Sequence, residues 1–221
     1  MKTYLIFTTI IVCIIVNTHF AAAQELTGKG FIGGLNLANI DGSDIPDTEY
    51  KAGFTLGGFL TFKMSEQFYL RPELVYIVKG YNMNGRETYR EDEYEEIILY
   101  DMSAKLNYLE IPILGVYSIF DNFNIYTGPY MEIYLSGEAK GHVTYSTSYN
   151  GDAYKETHEI KSSIKPKDVN SPGFGLIFGV EFIAGPVSIG ARYSNGLSTV
   201  PDSGDEDFKN TNIQFLLGFS L

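Results

Sequence analysis

The sequence predicts an all-β protein, an eight-stranded antiparallel up-and-down transmembrane β-barrel. Three observations carry that prediction. Eight segments alternate between an apolar face and a mixed face with period two. The connections between them alternate between short and long. An apolar run with the order of a secretory signal precedes them all.

The chain opens with Lys2, an apolar run from Tyr4 to Val16, and small residues Ala21 and Ala23 before Gln24. That order describes a signal peptide over residues 1–23, cleaved after Ala23, with the barrel domain over 24–221. The run falls short of the ~20 apolar residues that a spanning helix needs. Cys13, the single cysteine, lies inside it, too early and in the wrong context for lipid attachment. The mature chain therefore has no disulfide, thiol nucleophile or cysteine metal site. With 16 basic and 27 acidic residues the net charge is −11, which argues against a nucleic-acid partner. After residue 24 no apolar run is long enough for a helix to cross a membrane, so any crossing is made by strands.

The eight segments are Gly28–Ala38, Ala52–Phe62, Gln67–Lys79, Lys105–Tyr117, Asn122–Leu135, Pro172–Ile183, Pro186–Leu197 and Thr211–Leu221. Each matches or exceeds the ~9–11 residues of a tilted transmembrane strand. In the second, Phe54, Leu56, Gly58, Leu60 and Phe62 oppose Gly53, Thr55, Gly57 and Phe59. In the third, Phe68, Leu70, Pro72, Leu74, Tyr76 and Val78 oppose Tyr69, Arg71, Glu73, Val75, Ile77 and Lys79. The fourth and fifth are less clean, because their second faces are rich in Tyr and Leu. The sixth sets Phe174, Leu176, Phe178, Val180 and Phe182 against three glycines, Ile177 and Glu181. The seventh sets Val187, Ile189, Ala191 and Tyr193 against Ser188, Gly190, Arg192 and Ser194. The last sets Ile213, Phe215, Leu217, Phe219 and Leu221 against Asn212, Gln214, Gly218 and Ser220.

Short joints, "MSEQ", "SIFD" and "AGP", follow the second, fourth and sixth segments. The remaining connections are long: Asn39–Lys51, Gly80–Ala104, Ser136–Ser171 and Ser198–Asn210. Short turns thus gather at one end and long loops at the other, as in an outer-membrane barrel. A soluble lipocalin-like carrier needs a polar outside, whereas here the uniformly apolar face would be exposed.

The ordered motifs "GGLNLA", "RPELVYIVKG", "LNYLEIPILGVY", "YTGPY" and "ARYSNGLS" resemble the outer-membrane β-barrel domain of the PorT-type family. The resemblance covers nearly all of the mature chain. It implies a small eight-stranded barrel of the OmpA/OmpX kind in the outer membrane of a diderm bacterium. It also implies no catalytic residues and no cofactor. Outer-membrane lipid, the barrel-assembly machinery and an extracellular ligand or cell-envelope protein are the implied partners. The chain departs from the pattern in ending at Leu221 where a terminal Phe is common; Phe219 shares its face.

A barrel turns the mixed faces inward. By parity that brings Lys63, Arg71, Lys79 and Arg192 together with Glu73, Glu110, Glu132 and Glu181. An eight-stranded interior is just wide enough for its own side chains. Charges there must be paired, since an isolated buried charge is very costly. The expected arrangement is an interior ion network that fills the lumen, with a proton or ion path as the competing reading. Pro72 and Pro112 each remove a ladder donor, which predicts a bulge at one or both and a possible change of parity beyond.

Other chemistry is less well supported. "EDEYEE" (Glu91–Glu96) and "DSGDED" (Asp202–Asp207) offer carboxylates for calcium but lack the spacing of a calcium loop and read as solvated acidic surface. His142 and His158 share the longest loop with Ser146, Ser148, Asp152 and Glu159, but a loop does not fix a Ser–His dyad. "GKGFIGG" opens no helix and so offers no phosphate cradle. The expected function is a structural or interaction protein acting through long extracellular loops; the alternative is a narrow pore for small solutes. No enzyme activity is expected.

Overall fold

The computed structural model describes residues 25–42, 48–91, 94–149, 152–200 and 208–221. The signal segment 1–23 and the cluster Asp202–Asp207 lie outside them. Nine strands are present among the described residues: β1 (Glu25–Asp41), β2 (Thr48–Lys63), β3 (Phe68–Glu91), β4 (Tyr94–Phe120), β5 (Phe123–Tyr149), β6 (Asp152–Ile164), β7 (Gly173–Ala184), β8 (Val187–Thr199) and β9 (Lys209–Ser220). All neighbours pair antiparallel, and β1–β2–β3–β4–β5–β7–β8–β9 close on β1 as a ring of eight. The eight predicted segments fall on these ring strands in order.

The short joints are tight. Ser65 Oγ accepts from the Phe68 amide in the turn between β2 and β3. Asp121–Asn122 joins β4 to β5, and Gly185–Pro186 joins β7 to β8, with Gly185 at φ +61°, a region that suits glycine. Large apolar residues predicted to face lipid are on the outside: Leu74 is 54% exposed, and Phe54, Leu56, Phe178 and Phe215 behave alike. The Tyr- and Leu-rich second faces of β4 and β5 pack inward, where Tyr108, Leu114, Tyr126 and Tyr130 are buried. Glycine makes room for two of these rings. Tyr126 pairs with Gly179 and Tyr130 with Gly175, and a Cβ on either glycine would stand 2.4 Å from the ring.

Two sequence expectations change. Pro72 and Pro112 shift no register: β3 and β4 run from Pro72↔Ile113 to Val75↔Glu110, skipping two rungs but keeping alignment. The lost donors interrupt pairing locally, and parity carries through. A register shift instead lies between Asn107 and Tyr108 on β4, where β5 holds the additional residue Leu135.

The second change concerns the loops. Most of Gly80–Ala104 and Ser136–Ser171 is strand: β3, β4 and β5 run on beyond the ring, and β6 pairs with the outer half of β5 from Gly137↔Ile164 to Tyr149↔Asp152. The result is a four-stranded sheet rising from one side of the barrel. Beyond the hydrocarbon the outward face is no longer held apolar, so the lipid-facing pattern of the lower strands is lost while backbone pairing continues.

Candidate functional site

Inward parity concentrates the polar side chains of the lower strands in the lumen, and ring closure determines which of them meet. Near the short-turn end, Arg71 forms a two-pronged pair with Glu181, at 2.8 Å from Nη1 and also through Nη2. Asn124 donates to the same carboxylate at 2.8 Å. Arg71 also lies 5.4 Å from the Phe59 ring centroid and 5.8 Å from that of Tyr126. Beside it, Arg192 meets Glu73 at 2.9 Å, both side chains fully enclosed. The two-pronged Arg71–Glu181 pair has the geometry that offsets desolvation best, whereas Arg192 gives Glu73 one hydrogen bond, from Nη2.

Farther out, Lys79 sits between two carboxylates, 2.6 Å from Glu132 and 3.0 Å from Glu110. Its ammonium is 5.0 Å from the Tyr130 ring centroid and 5.6 Å from that of Tyr108. Asn210 reaches Glu132. Buried neutral groups also face inward: Asn36 donates to the Val78 carbonyl, Thr55 to Asn36, and Gln214 to Ser194. At the outer mouth Val169, from the segment after β6, joins a buried apolar cluster with Ile77, Leu106, Tyr108 and Tyr134.

Seven of the eight residues assigned inward by parity are thus buried in two groups: Arg71, Glu73, Glu181 and Arg192, then Lys79, Glu110 and Glu132. Lys63 does not join them. It lies half-buried opposite Glu25 at the short-turn end, and among the described ion pairs none involves it. Parity gives the direction of a side chain but not its depth, and Lys63 ends its strand. Asn36 and Asn124 were not singled out from the sequence, although the same inward parity holds for them.

Two faces distinguish the outer sheet. One continues the lumen surface and carries Tyr81, Met83, Ile98, Tyr100, Met102, Val143, Tyr145 and Ile160 in paired rows. Tyr89, Tyr145 and Tyr154 on this face are exposed. The other continues the lipid face and is mainly polar, with Asn82, Ser103, Lys140, Lys161 and Thr157 beside Ile97 and Leu99. Among the described residues the sheet has two open edges, β6, which pairs with β5 alone, and β3 beyond Met83, which pairs with β4 alone.

The histidines predicted in a loop are on these strands instead. His142 lies opposite Glu159 and His158 opposite Val143, which turns the two rings to opposite faces. His158 stacks edge-on against Tyr145, at 5.9 Å between centroids, and meets Glu156 at 3.2 Å. Ser146 shares a face with His142 but is four residues along the strand, ~13 Å away, too far for a Ser–His dyad. In the acidic "EDEYEE" stretch Glu95 is engaged by exposed Arg90, and residues 92–93 lie outside the described set. Among the described residues no group of three or more His, Asp or Glu converges as metal ligands would.

The sequence matches the family described as outer membrane protein beta-barrel domain over residues 22–201, short of β9. No curated protein matches the chain. Among solved structures it is similar to Ail, the attachment invasion locus protein of Yersinia pestis, at 12% identity and a TM-score of 0.46, covering 89% of this chain and 100% of that one. A structure of the same protein with the heparin analogue sucrose octasulfate aligns at 15% identity and a TM-score of 0.46, covering 88% and 98%. Neisserial surface protein A aligns at 12% identity and a TM-score of 0.40, covering 87% and 97%.

Proposed function

The chain belongs to the outer membrane protein beta-barrel domain family and resides in the outer membrane of a diderm bacterium, and on that premise we propose that it is a surface interaction protein whose binding element is the sheet above the barrel. The carrying observation is β6, a strand of 13 residues with one unpaired edge, set beside an aromatic face. An open edge offers backbone donors and acceptors to an extended segment of a partner, and alternate side chains supply selectivity. The partner in this reading is an extracellular or cell-envelope protein presenting an extended strand. The barrel is the anchor, residues 1–23 the export signal, and the last strand the segment read by the barrel-assembly machinery. The finer kinship with PorT-type barrels rests on the sequence motifs, and the absence of catalysis belongs to the same reading.

Removing the outer halves of the hairpins (residues 84–101 and 139–162, each replaced by a tight turn) tests this. Ladder hydrogen bonds of the ring run between strands and are untouched, so the barrel should still fold and migrate as a heat-modifiable band. Capture of fluorescent extended peptides from a random panel should be lost. Equal capture by the trimmed barrel would move the binding site off the sheet.

The narrow-pore alternative is disfavoured by the enclosed ion pairs of the lumen and by the Val169 cluster at its outer mouth. The protein in planar bilayers should give no steady single-channel conductance, because an eight-stranded interior filled by side chains leaves no water column. A large, stable conductance that survives trimming of the sheet would favour transport.

A further inference from the structure

On the lipid-side face of the outer sheet the apolar belt gives way to lysines, and we propose that this patch binds the phosphate groups of anionic lipid in the adjoining leaflet. The inference rests on the membrane-spanning reading of the ring. Tyr76, Leu109 and Ile133 form an apolar rung of the belt. Asn107 and Ser136 follow, then Lys105 and Glu138, then Ser103, Lys140 and Lys161. Lys105 lies four residues above Leu109, about 13 Å along the strand and about 10 Å along the membrane normal after tilt, which is headgroup height.

Two features suggest an anion rather than a merely solvated surface. Lys140 and Lys161 are direct cross-strand partners, a like-charge pairing that Glu138, bound to Lys140, offsets in part. Lys51 is drawn into the same patch from β2. Its side chain crosses Gly80, where a Cβ would stand 2.8 Å from Lys51 Cδ, and its ammonium donates to Ser103 Oγ. Partial burial, then the nearby Lys105, push the Lys51 ammonium below its ordinary pKa. Glu138 is 2.9 Å from Lys140, which holds its pKa below the usual range, and Glu49 accepts from Asn84 on the same face. Lys51, Lys105, Lys140 and Lys161 against Glu138 and Glu49, which shares the Asn82–Ser103 rung, leave an excess of two positive charges, in a chain whose net charge is −11; Asp101 and Glu159 follow one rung farther out. A phosphate is the complement such a patch selects at this height.

The test uses the full-length protein folded in a zwitterionic detergent, with native mass spectrometry of retained phosphatidylglycerol and phosphatidylcholine. Wild type should retain phosphatidylglycerol in preference. K51Q/K105Q/K140Q/K161Q should lower that preference by about tenfold or more, while Lys155→Gln, on the same face of β6 but six residues farther out, should leave it unchanged. Inorganic phosphate at equal concentration should not displace the lipid. If the quadruple variant loses its heat-modifiable band, K140Q/K161Q gives the same reading with a smaller drop. Equal preference in wild type and variant, an equal loss in Lys155→Gln, or displacement by inorganic phosphate alone would each overturn the proposal. Detergent offers the same lipid at both ends of the barrel, so the outcome does not depend on which end faces outward or on peptide capture by β6.

Discussion

Arg192→Met should destabilise the barrel by about 3–5 kcal/mol, because it leaves Glu73 as an enclosed carboxylate without its partner. Arg192 and Glu73 are fully enclosed at 2.9 Å, and Arg192 also lies 5.3 Å from the Tyr126 ring centroid. Replacing both members costs far less than removing one, since desolvating two ions offsets most of their attraction. Arg192→Met combined with Glu73→Leu should therefore recover most of the loss. Urea titrations of folding into lipid vesicles measure both. A single variant as stable as wild type, or a double variant worse than the single, would show that the pair does not stand or fall together.

Leu74→Arg should cost ~2–4 kcal/mol by placing a charge in the hydrocarbon, provided its depth is near the midplane. Leu74 neighbours Glu73 in sequence yet faces outward, 54% exposed where Glu73 is 3% exposed. From face parity alone, Glu73→Gln looks milder than Leu74→Arg, since it keeps a polar group inside. The pairing with Arg192 removes that simple ranking: Glu73→Gln strands a buried guanidinium, and its cost approaches that of Arg192→Met. The same vesicle titrations compare the two. Leu74→Arg folding as well as wild type would mean that this face does not meet lipid.

Much of this architecture is a local property of the chain. Side chains of a strand alternate whatever the neighbours are, so the faces of β3, β7, β8 and β9 follow from the order of residues, and so does the inward direction of Arg71, Lys79 and Glu181. Short joints between such strands dictate antiparallel neighbours, and that made the barrel legible. Partners are another matter. Arg71 and Glu181 are 110 positions apart, and only closure of the ring brings them together. Lys63 and Arg71 share a parity, but their depths differ, and depth separates an enclosed ion pair from a half-buried charge at the rim. Proline at 72 and 112 marks lost donors, yet whether a strand bulges or skips rungs is decided with the strand opposite. The outer sheet was hidden for a related reason. Residues 94–104 and 152–164 lack an apolar outward face, because no hydrocarbon rewards it there, and they become strands through the backbone pairing offered by β3 and β5. Local sequence determines the faces of a strand; its length beyond the membrane, its register and its ionic partners are decided by contacts far apart in the chain, whose free energy exists only once the sheet has formed.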